Sequence, residues 1–427
     1  MTVAVSRRDF LSASASVPLA LGAGGLFAHS APSSRAAAGD ATAGPAPSAR
    51  RMPSVAVIGA GAFGGWTALH LLRRGASVTL VDAWGPGNSR ASSGGETRVL
   101  RSIYGGTRRY VEWTARALAQ WRQSETAWGE QFFFPTGALW MFLGADDYAR
   151  SSLAAAKDSG FTVEELGLAD AARRYPQISF EGVRTVFFEK EAGYLLARQA
   201  CDAVRRAFVK EGGTYRQAAL APLPASRPAG APLPLAGGGA LAADAYVLAC
   251  GPWLGSILSD LMADLIAPTR QEVFYFGTPA GDARFDEGTM PIWVAMGERF
   301  LYGIPGNQRR GFKFADDTRG ERFHPTHGER IPSADGIARA RQALGARFPA
   351  LADAPLLEAR VCQYENSPDG HFILDRHPRW DDLWIAGGGS GHGFKMGPTV
   401  GEHVADLVLG AARPEAAFSL ARFRKGQ

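Results

Sequence analysis

The sequence predicts an open α/β sheet protein with enough chain left over for a second domain. Three observations predict it. The 427 residues exceed what one simple core holds and suit two domains or one large discontinuous pair. A short all-apolar run, Val55-Ala56-Val57-Ile58, suits a strand buried on both faces of a parallel sheet. That run passes directly into Gly59-Ala60-Gly61-Ala62-Phe63-Gly64, and then into a helical apolar pattern through Trp66, Leu69, His70 and Leu72.

The helix closes at Arg73-Arg74-Gly75. Basic residues suit the negative helix end, and glycine suits the left-handed cap. Val78-Thr79-Leu80-Val81 reads as the next strand and ends at Asp82. A lone G-x-G-x-x-G says little. Here it lies between strand and helix, with an acid 18 residues after Gly64 at the end of the next strand, and so it marks a dinucleotide site. Gly59 allows the tight turn, Gly61 lets the backbone approach a pyrophosphate, and Gly64 lets helix and sheet pack closely. The helix N-terminus offers unpaired N–H groups to phosphate. Asp82 can accept from ribose hydroxyls. The motif alone does not separate FAD from NAD.

Hydrophobic residues at 46% and charged residues at 20% are ordinary for a globular chain and argue against disorder. The net charge of +5 falls to about +3 once the first 38 residues are removed. There is no Lys/Arg block, so neither nucleic acid nor an anionic membrane is an expected partner. At the N-terminus, Ser6-Arg7-Arg8-Asp9-Phe10-Leu11 resembles the twin-arginine export motif. An apolar stretch follows from Leu11 to Ala28, then Ala/Pro/Ser-rich sequence with a small-residue cleavage site near Ala36-Ala37-Ala38. We read 1–38 as a signal for the twin-arginine export machinery and 39–52 as a linker. The stretch is rich in Ser, Ala and Gly and is not read as a retained membrane anchor. The expected location is periplasmic or secreted.

Three cysteines, Cys201, Cys250 and Cys362, give no disulfide framework and no zinc pattern. Cys201 and Cys250 read as core residues. His324 and His327 have metal-like spacing, but they sit in a Pro/Gly-containing loop with no third ligand nearby, so no metal is expected. Trp140 and Trp293 read as packing residues.

The stretch after Asp82 is more specific. It contains Ser92-Ser93-Gly94-Gly95-Glu96-Thr97-Arg98-Val99-Leu100-Arg101-Ser102-Ile103-Tyr104-Gly105. Four later stretches go with it: Ala243-Asp244-Ala245-Tyr246-Val247-Leu248-Ala249-Cys250-Gly251-Pro252-Trp253; Tyr302 and Lys313, eleven residues apart; Val361-Cys362-Gln363-Tyr364 leading to His371-Phe372-Ile373-Leu374-Asp375; and Gly387-Gly388-Gly389-Ser390-Gly391-His392-Gly393-Phe394-Lys395. From about residue 54 to about residue 410, the chain resembles the monomeric sarcosine oxidase and N-methyltryptophan oxidase family of the D-amino-acid-oxidase superfamily.

The resemblance implies FAD, with Ser92, Thr97 and Arg98 along the flavin. Gly251 belongs to the Gly-x-Trp turn after the third nucleotide-domain strand. Gly389, Gly391, His392 and Gly393 form the flavin loop. Arg101 and Lys395 become ligands of the substrate carboxylate, Tyr302 the active-site tyrosine and Lys313 the oxygen-activating lysine. Cys362 becomes the cysteine joined to the flavin ring. Physically, Arg101 can grip a carboxylate bidentately and Lys395 can add a point charge. A helix starting near Phe394 would aim its positive end at charge on reduced flavin. From alternation alone, Lys313 reads as a solvated strand lysine between Phe312 and Phe314, and Cys362 as an inert core cysteine. The family's pattern reverses both readings and brings Trp293 into the pocket wall.

The chain departs from the family at two places. Ser93-Gly94 stand where paired histidines precede Thr-Arg, and Asp317 stands where a histidine follows the lysine by four residues. Both changes fall where the substrate amine is handled. Asp317 can neutralise or bind a cationic amine.

The expected architecture is α/β plus α+β: an FAD-binding Rossmann-like domain (53–137, 193–266, 366–427) interleaved with a substrate domain of mostly antiparallel sheet (138–192, 267–365). The expected activity of this monomer is oxidation of a C–N bond of a small secondary or N-methyl amino acid, or an amine, to an imine, with dioxygen reduced to hydrogen peroxide. A dehydrogenase of the same fold that passes electrons to a carrier, and a non-catalytic flavin-binding protein, both stay open at this stage.

Overall fold

The computed structural model describes residues 52–423. The export signal at 1–38 and nearly all of the linker lie outside the described residues. The first strand β1 (Ser54–Ile58), helix α1 (Ala62–Arg73) and strand β2 (Ser77–Asp82) form where the motif puts them. Val55, Ala56, Val57 and Ile58 are all buried, as a strand covered on both faces requires. Arg74 donates its N–H to the His70 carbonyl at 3.1 Å, and Gly75 turns off the helix at φ +91°.

β1 lies in a six-stranded sheet. Its order is Ile373–Arg376, Leu383–Gly387, Ala245–Leu248, β1, β2 and Thr214–Gln217. All neighbours run parallel except the edge pair Ile373–Arg376 and Leu383–Gly387. Two helices cover α1's side of the sheet, Ala197–Lys210 and Gly397–Val408. The sharp turn out of β1 passes against the neighbouring strand: a Cβ on Gly59 would stand 2.2 Å from the Ala249 carbonyl oxygen.

A second sheet has eight strands. Its order is Leu356–Asn366, Ala267–Phe276, Phe312–Asp316, Phe300–Ile304, Ile292–Met296, Ala138–Phe142, Thr185–Glu189 and Val163–Leu166. It is antiparallel except where Ile292–Met296 meets Ala138–Phe142. A small antiparallel sheet joins Thr97–Leu100, Gly193–Leu196 and Phe133–Phe134. The mixed α/β and antiparallel architecture expected from the sequence is therefore the one observed. Strands of the two large sheets interleave along the chain. No described helix is long and apolar enough to cross a membrane.

The long strand Leu356–Asn366 pairs along its whole length with Ala267–Phe276. At its end, the Glu365 carbonyl accepts the Ser390 N–H at 3.2 Å, which ties the eight-stranded sheet to the Gly-rich loop following Leu383–Gly387. That loop leads through a 3-10 turn, Phe394–Met396, into the helix Gly397–Val408. The α-helix thus begins three residues later than the position expected near Phe394.

Helices α1 and Gly397–Val408 pack nearly backbone to backbone. A Cβ on Gly401 would stand 2.5 Å from the Trp66 carbonyl carbon. Gly401→Val is expected to destabilise the protein by about 1–3 kcal/mol through overpacking. Urea denaturation checks this as a lowered midpoint with unchanged slope.

Candidate active site

Three cavities join into one tract. The first, about 850 Å³, is bordered by Gly59, Gly61, Asp82, Trp84, Ser92, Gly251 and Trp253. The second, about 410 Å³, is bordered by Ala62, Ser92, Arg98, Tyr364, Glu365, Gly389, Gly391 and Gly393. The third, about 740 Å³, is bordered by Arg98, Arg101, Tyr302, Asp317, Cys362, Tyr364, His392 and Lys395. Ala62, Phe63, Ser92 and Ser93 border both the first and the second. Arg98, Tyr364, Gly391 and Phe394 border both the second and the third.

The strand–turn–helix motif forms one end. Gly61 leaves room, since a Cβ there would meet only the Ser93 side chain, at 3.2 Å. Gly64 lies behind the cavity wall and packs against the Gly59 carbonyl, the close helix–sheet contact expected of it. The Asp82 carboxylate accepts from the N–H groups of Ala60 at 2.7 Å, Trp84 at 2.9 Å and Gly85 at 2.8 Å. A carboxylate has about four acceptor sites, so one remains for a ribose hydroxyl. Trp84 and Trp253 lie against each other on the rim, ring centroids 4.9 Å apart and planes tilted by 44°. Cys250, expected in the core, borders this cavity. Burial and nearby Asp82 push its thiol upward. Cys201 is a buried helix residue, as expected.

The other end gathers four basic side chains, three of them buried and Arg98 half-buried. Arg98 donates to the carbonyls of Thr97 at 2.8 Å and Ser92 at 2.5 Å, and contacts Cys362 Sγ at 3.4 Å. Arg101 donates to the Ile103 carbonyl and lies 4.4 Å over the Tyr104 ring. Lys395 donates to Tyr104 Oη at 2.5 Å and the His392 carbonyl at 2.7 Å. Lys313 donates to the Thr97 carbonyl and hydroxyl at 3.2 and 3.3 Å. Among the described residues, no hydrogen bond of these four reaches a carboxylate.

Burial, and then neighbouring Arg98, lower the Lys313 ammonium to about 7. Burial, and then Arg101, hold Lys395 well below its ordinary value. Burial and Lys395 push the His392 imidazole down to about 3, so that ring is neutral. Its Nε2 lies 3.0 Å from the Gly370 carbonyl.

Arg98, Arg101, Tyr302, Cys362 and Lys395 reach the third cavity together. Lys313 does not line it. At 1% exposure it is no solvated strand lysine, but it sits one layer back, 5.5 Å from the Tyr302 ring. Thr97 is likewise behind the wall and fully buried. Trp293 does not border the cavity. It stacks on Phe312 in the core on the other face of the sheet. Trp140 packs under Arg101, 5.3 Å from the guanidinium. His324 and His327 stack on each other, and His324 Nδ1 accepts the N–H groups of Thr326 and His327.

Sequence reasoning missed four polar residues here. Tyr104 carries Lys395, and Tyr364 donates its hydroxyl to Asp317. Fully buried Glu189 accepts from the Ser102 N–H and from Trp140 Nε1 behind Arg101. Glu365 borders the middle cavity. Asp317 itself is pushed upward by burial, against the pull of Tyr364, Arg101 and Lys395.

The family described as DAO, FAD dependent oxidoreductase, matches residues 54–407. The chain belongs to this family. It is 28% identical over 363 residues to the monomeric sarcosine oxidase of Arthrobacter sp. (strain TE1826), covering 83% of this chain and 92% of that protein. It is 28% identical to the N-methyl-L-tryptophan oxidase of Yersinia pestis (strain Pestoides F), covering 86% and 98%. The crystal structure of L-proline dehydrogenase from P. horikoshii superposes with a TM-score of 0.75 at 18% identity, covering 87% and 98%, which is a likeness of fold.

The chain is thus an FAD-dependent oxidoreductase, and the tract fits its cofactor. The Gly59–Gly64 turn and Asp82 suit the ADP end. Ser92 Oγ and Glu365 Oε2 are buried along the middle without hydrogen-bond partners among the described residues, as atoms waiting for a polar ligand would be.

The lowered pKa of Lys313 has a sign for stability. Between about 7 and 10.5 the unfolded chain holds the Lys313 proton more tightly, so this group's cost is full below about 7 and fades as pH approaches 10.5. In the FAD-free protein, Lys313→Met is expected to raise stability by ~2–4 kcal/mol at pH 6 and by little near pH 10. Denaturant melts at the two pH values check this.

Proposed function

We propose that this oxidoreductase oxidises the carbon–nitrogen bond of a small, carboxylate-bearing amine, a secondary or N-methyl amino acid, to an imine, and that dioxygen takes the electrons as hydrogen peroxide. One observation carries the reading. Arg101 and Lys395 are buried cations without carboxylate partners, at the end of the cofactor tract. Buried cations need an anion or a good hydrogen-bond acceptor, and a substrate carboxylate supplies one. Relatives named for sarcosine and N-methyl-L-tryptophan support the same class.

When bound, the flavin supplies the two-electron acceptor and is reoxidised by dioxygen. The chain's own residues bind and orient. Arg101 offers a planar fork to the carboxylate, and Lys395 a point charge held by Tyr104. This places the amine toward Asp317 and Tyr364, which border the same cavity. Asp317 can accept from the amine N–H and balance a cationic amine, a different role from the neutral imidazole that stands there in the family. Lys313 supplies positive charge behind the Tyr302 and Arg98 wall for the charge that dioxygen acquires. Cys362, beside Arg98, is the attachment point for the flavin ring. In this reading 53–137, 193–266 and 366–427 serve the cofactor, and 138–192 and 267–365 serve the substrate.

An amine and amino-acid panel with peroxide detection tests the reaction. Arg101→Met and Lys395→Met are each expected to raise KM about 10- to 100-fold with FAD absorbance retained. Dye reduction without peroxide would sink the oxidase, and equal activity on decarboxylated amines would sink the carboxylate clamp. After acid precipitation, yellow colour should stay with the protein and leave it in Cys362→Ala.

We also propose export by the twin-arginine machinery, supported by Arg7-Arg8 and the apolar run from Leu11 to Ala28. Replacing both arginines by lysine should leave the protein in the cytoplasm. Unchanged export would refute the signal.

A further inference from the structure

Glu365 has no part in the reaction described above. It is the penultimate residue of the strand Leu356–Asn366, is 8% exposed, and borders the cavity between the dinucleotide turn and the four-cation pocket. Its Oε1 accepts the Gly389 N–H at 3.2 Å. Its Oε2 is buried with no hydrogen-bond partner among the described residues. Among the described residues no basic side chain pairs with it.

Two glycines flank the carboxyl. A Cβ on Gly251 would stand 3.1 Å from Oε2, and a Cβ on Gly389 would stand 2.7 Å from Oε1. The acid therefore sits between the turn after the third parallel strand and the Gly-rich loop, at the waist of the cofactor tract. A buried carboxylate with no cation is costly, and the group avoids the cost by holding its proton. Burial raises Glu365 from 4.5 to about 7. A protonated carboxyl carries one O–H donor. A buried donor without an acceptor is an incomplete hydrogen bond. The middle of FAD, with ribityl hydroxyls and pyrophosphate oxygens, is rich in acceptors.

We propose that Glu365, as an uncharged carboxylic acid, donates its O–H to a ribityl or phosphate oxygen of FAD and makes capture of the cofactor pH-dependent. This rests on the FAD tract and not on the amine substrate. The competing role is scaffolding alone, in which Glu365 only accepts from Gly389 and Ser390.

The two roles respond oppositely to pH. An acceptor improves when the carboxyl ionises, whereas a donor is lost. Other groups face the waist. Arg98 comes from Thr97–Leu100, Tyr364 from Glu365's own strand, and Cys250 from the turn after Ala245–Leu248. Burial raises Tyr364 and Cys250 far above neutrality, and His392 in the Gly-rich loop is lowered to about 3. Lys313, lowered to about 7 at the far end of the tract, shares the window, so a Glu365 variant must isolate the effect.

The experiment measures FAD affinity by quenching of flavin fluorescence. The full chain carries Cys362→Ala, so that flavin is held reversibly and can be stripped and rebound. In this parent, the dissociation constant should rise ~10-fold or more between pH 6 and pH 8.5. Adding Glu365→Gln, whose amide still accepts from Gly389 and donates at every pH, should flatten the profile near the parent's pH 6 value. Adding Glu365→Ala should weaken binding at both ends. A parent profile that is flat or tightens with pH, or a Gln variant that keeps the parent's slope, overturns the donor role. A parent that binds no FAD at any pH overturns this proposal and the cofactor assignment together.

Discussion

Four basic side chains surround one end of a single tract: Arg101, Lys313 and Lys395 are buried, and Arg98 is half-buried. Charges so placed lose hydration and repel one another, and each must find acceptors within the protein. The acceptors are mainly backbone carbonyls: Thr97, Ser92, Ile103 and His392. Three of these carbonyls lie between Ser92 and Ile103, on either side of and at the start of the strand Thr97–Leu100. Glu189 compensates from behind. It is fully buried, holds the Ser102 N–H, and lies close enough to Arg101 to favour its charge.

The two sheets meet through this same region. Thr97–Leu100 belongs to the small sheet, Lys313 to the eight-stranded sheet and Lys395 to the turn before Gly397–Val408. The strand Leu356–Asn366 brings Cys362, Tyr364 and Glu365 from the eight-stranded sheet to the Gly-rich loop of the other. Side chains on strands paired along their length are held more firmly than side chains on loops, which suits groups that must be placed against a cofactor to within fractions of an ångström. The more adaptable parts, the turn after β1 and the 387–393 loop, are backbone cradles where glycine permits close approach.

Legibility in the sequence divided along the same physical line. The β1–α1–β2 unit was readable because its requirements are local. A turn at φ +107° against a neighbouring backbone tolerates only Gly59, and the flanking periodicities are short-range. The location of Lys313 was not readable from alternation. Phe312, Lys313 and Phe314 are all at or below 2% exposure, and a strand covered on both faces carries no inside–outside pattern. For the same reason nothing local showed which face Trp293 takes, and it lies in the core away from the pocket. Cys250 was placed in the core because its apolar neighbours say core. It reaches the nucleotide cavity only because the chain turns at Gly251 immediately afterwards. Glu189 and Glu365 had no local signal. Each lies at or next to a strand end, where an acid is usually solvated, and only the packing of a distant segment buries it.

The acids of the tract complete the electrostatic argument. Asp317 and Glu365 lie along it, and burial raises both. For Asp317, burial is the largest influence even with Arg101 and Lys395 nearby. For Glu365 no cation opposes it. Raised carboxyls spend less of their population charged, so they subtract less from the field of Arg98 and Arg101, whose charge persists while the same burial lowers Lys313 and Lys395. The tract is then biased positive from the waist to the third cavity while still offering proton donors and acceptors along its length. A positive, desolvated channel attracts a dianionic dinucleotide and a carboxylate-bearing substrate alike. In the proposed reading the dinucleotide supplies acceptors at the waist, and Arg101 and Lys395 lie beyond it in the third cavity. Neither group hydrogen-bonds a carboxylate among the described residues, although Asp317 borders the same cavity and acts on both charges from a distance. In that reading, carboxylate recognition and cofactor retention would thus draw on the same unbalanced charge, from opposite ends of one cavity system.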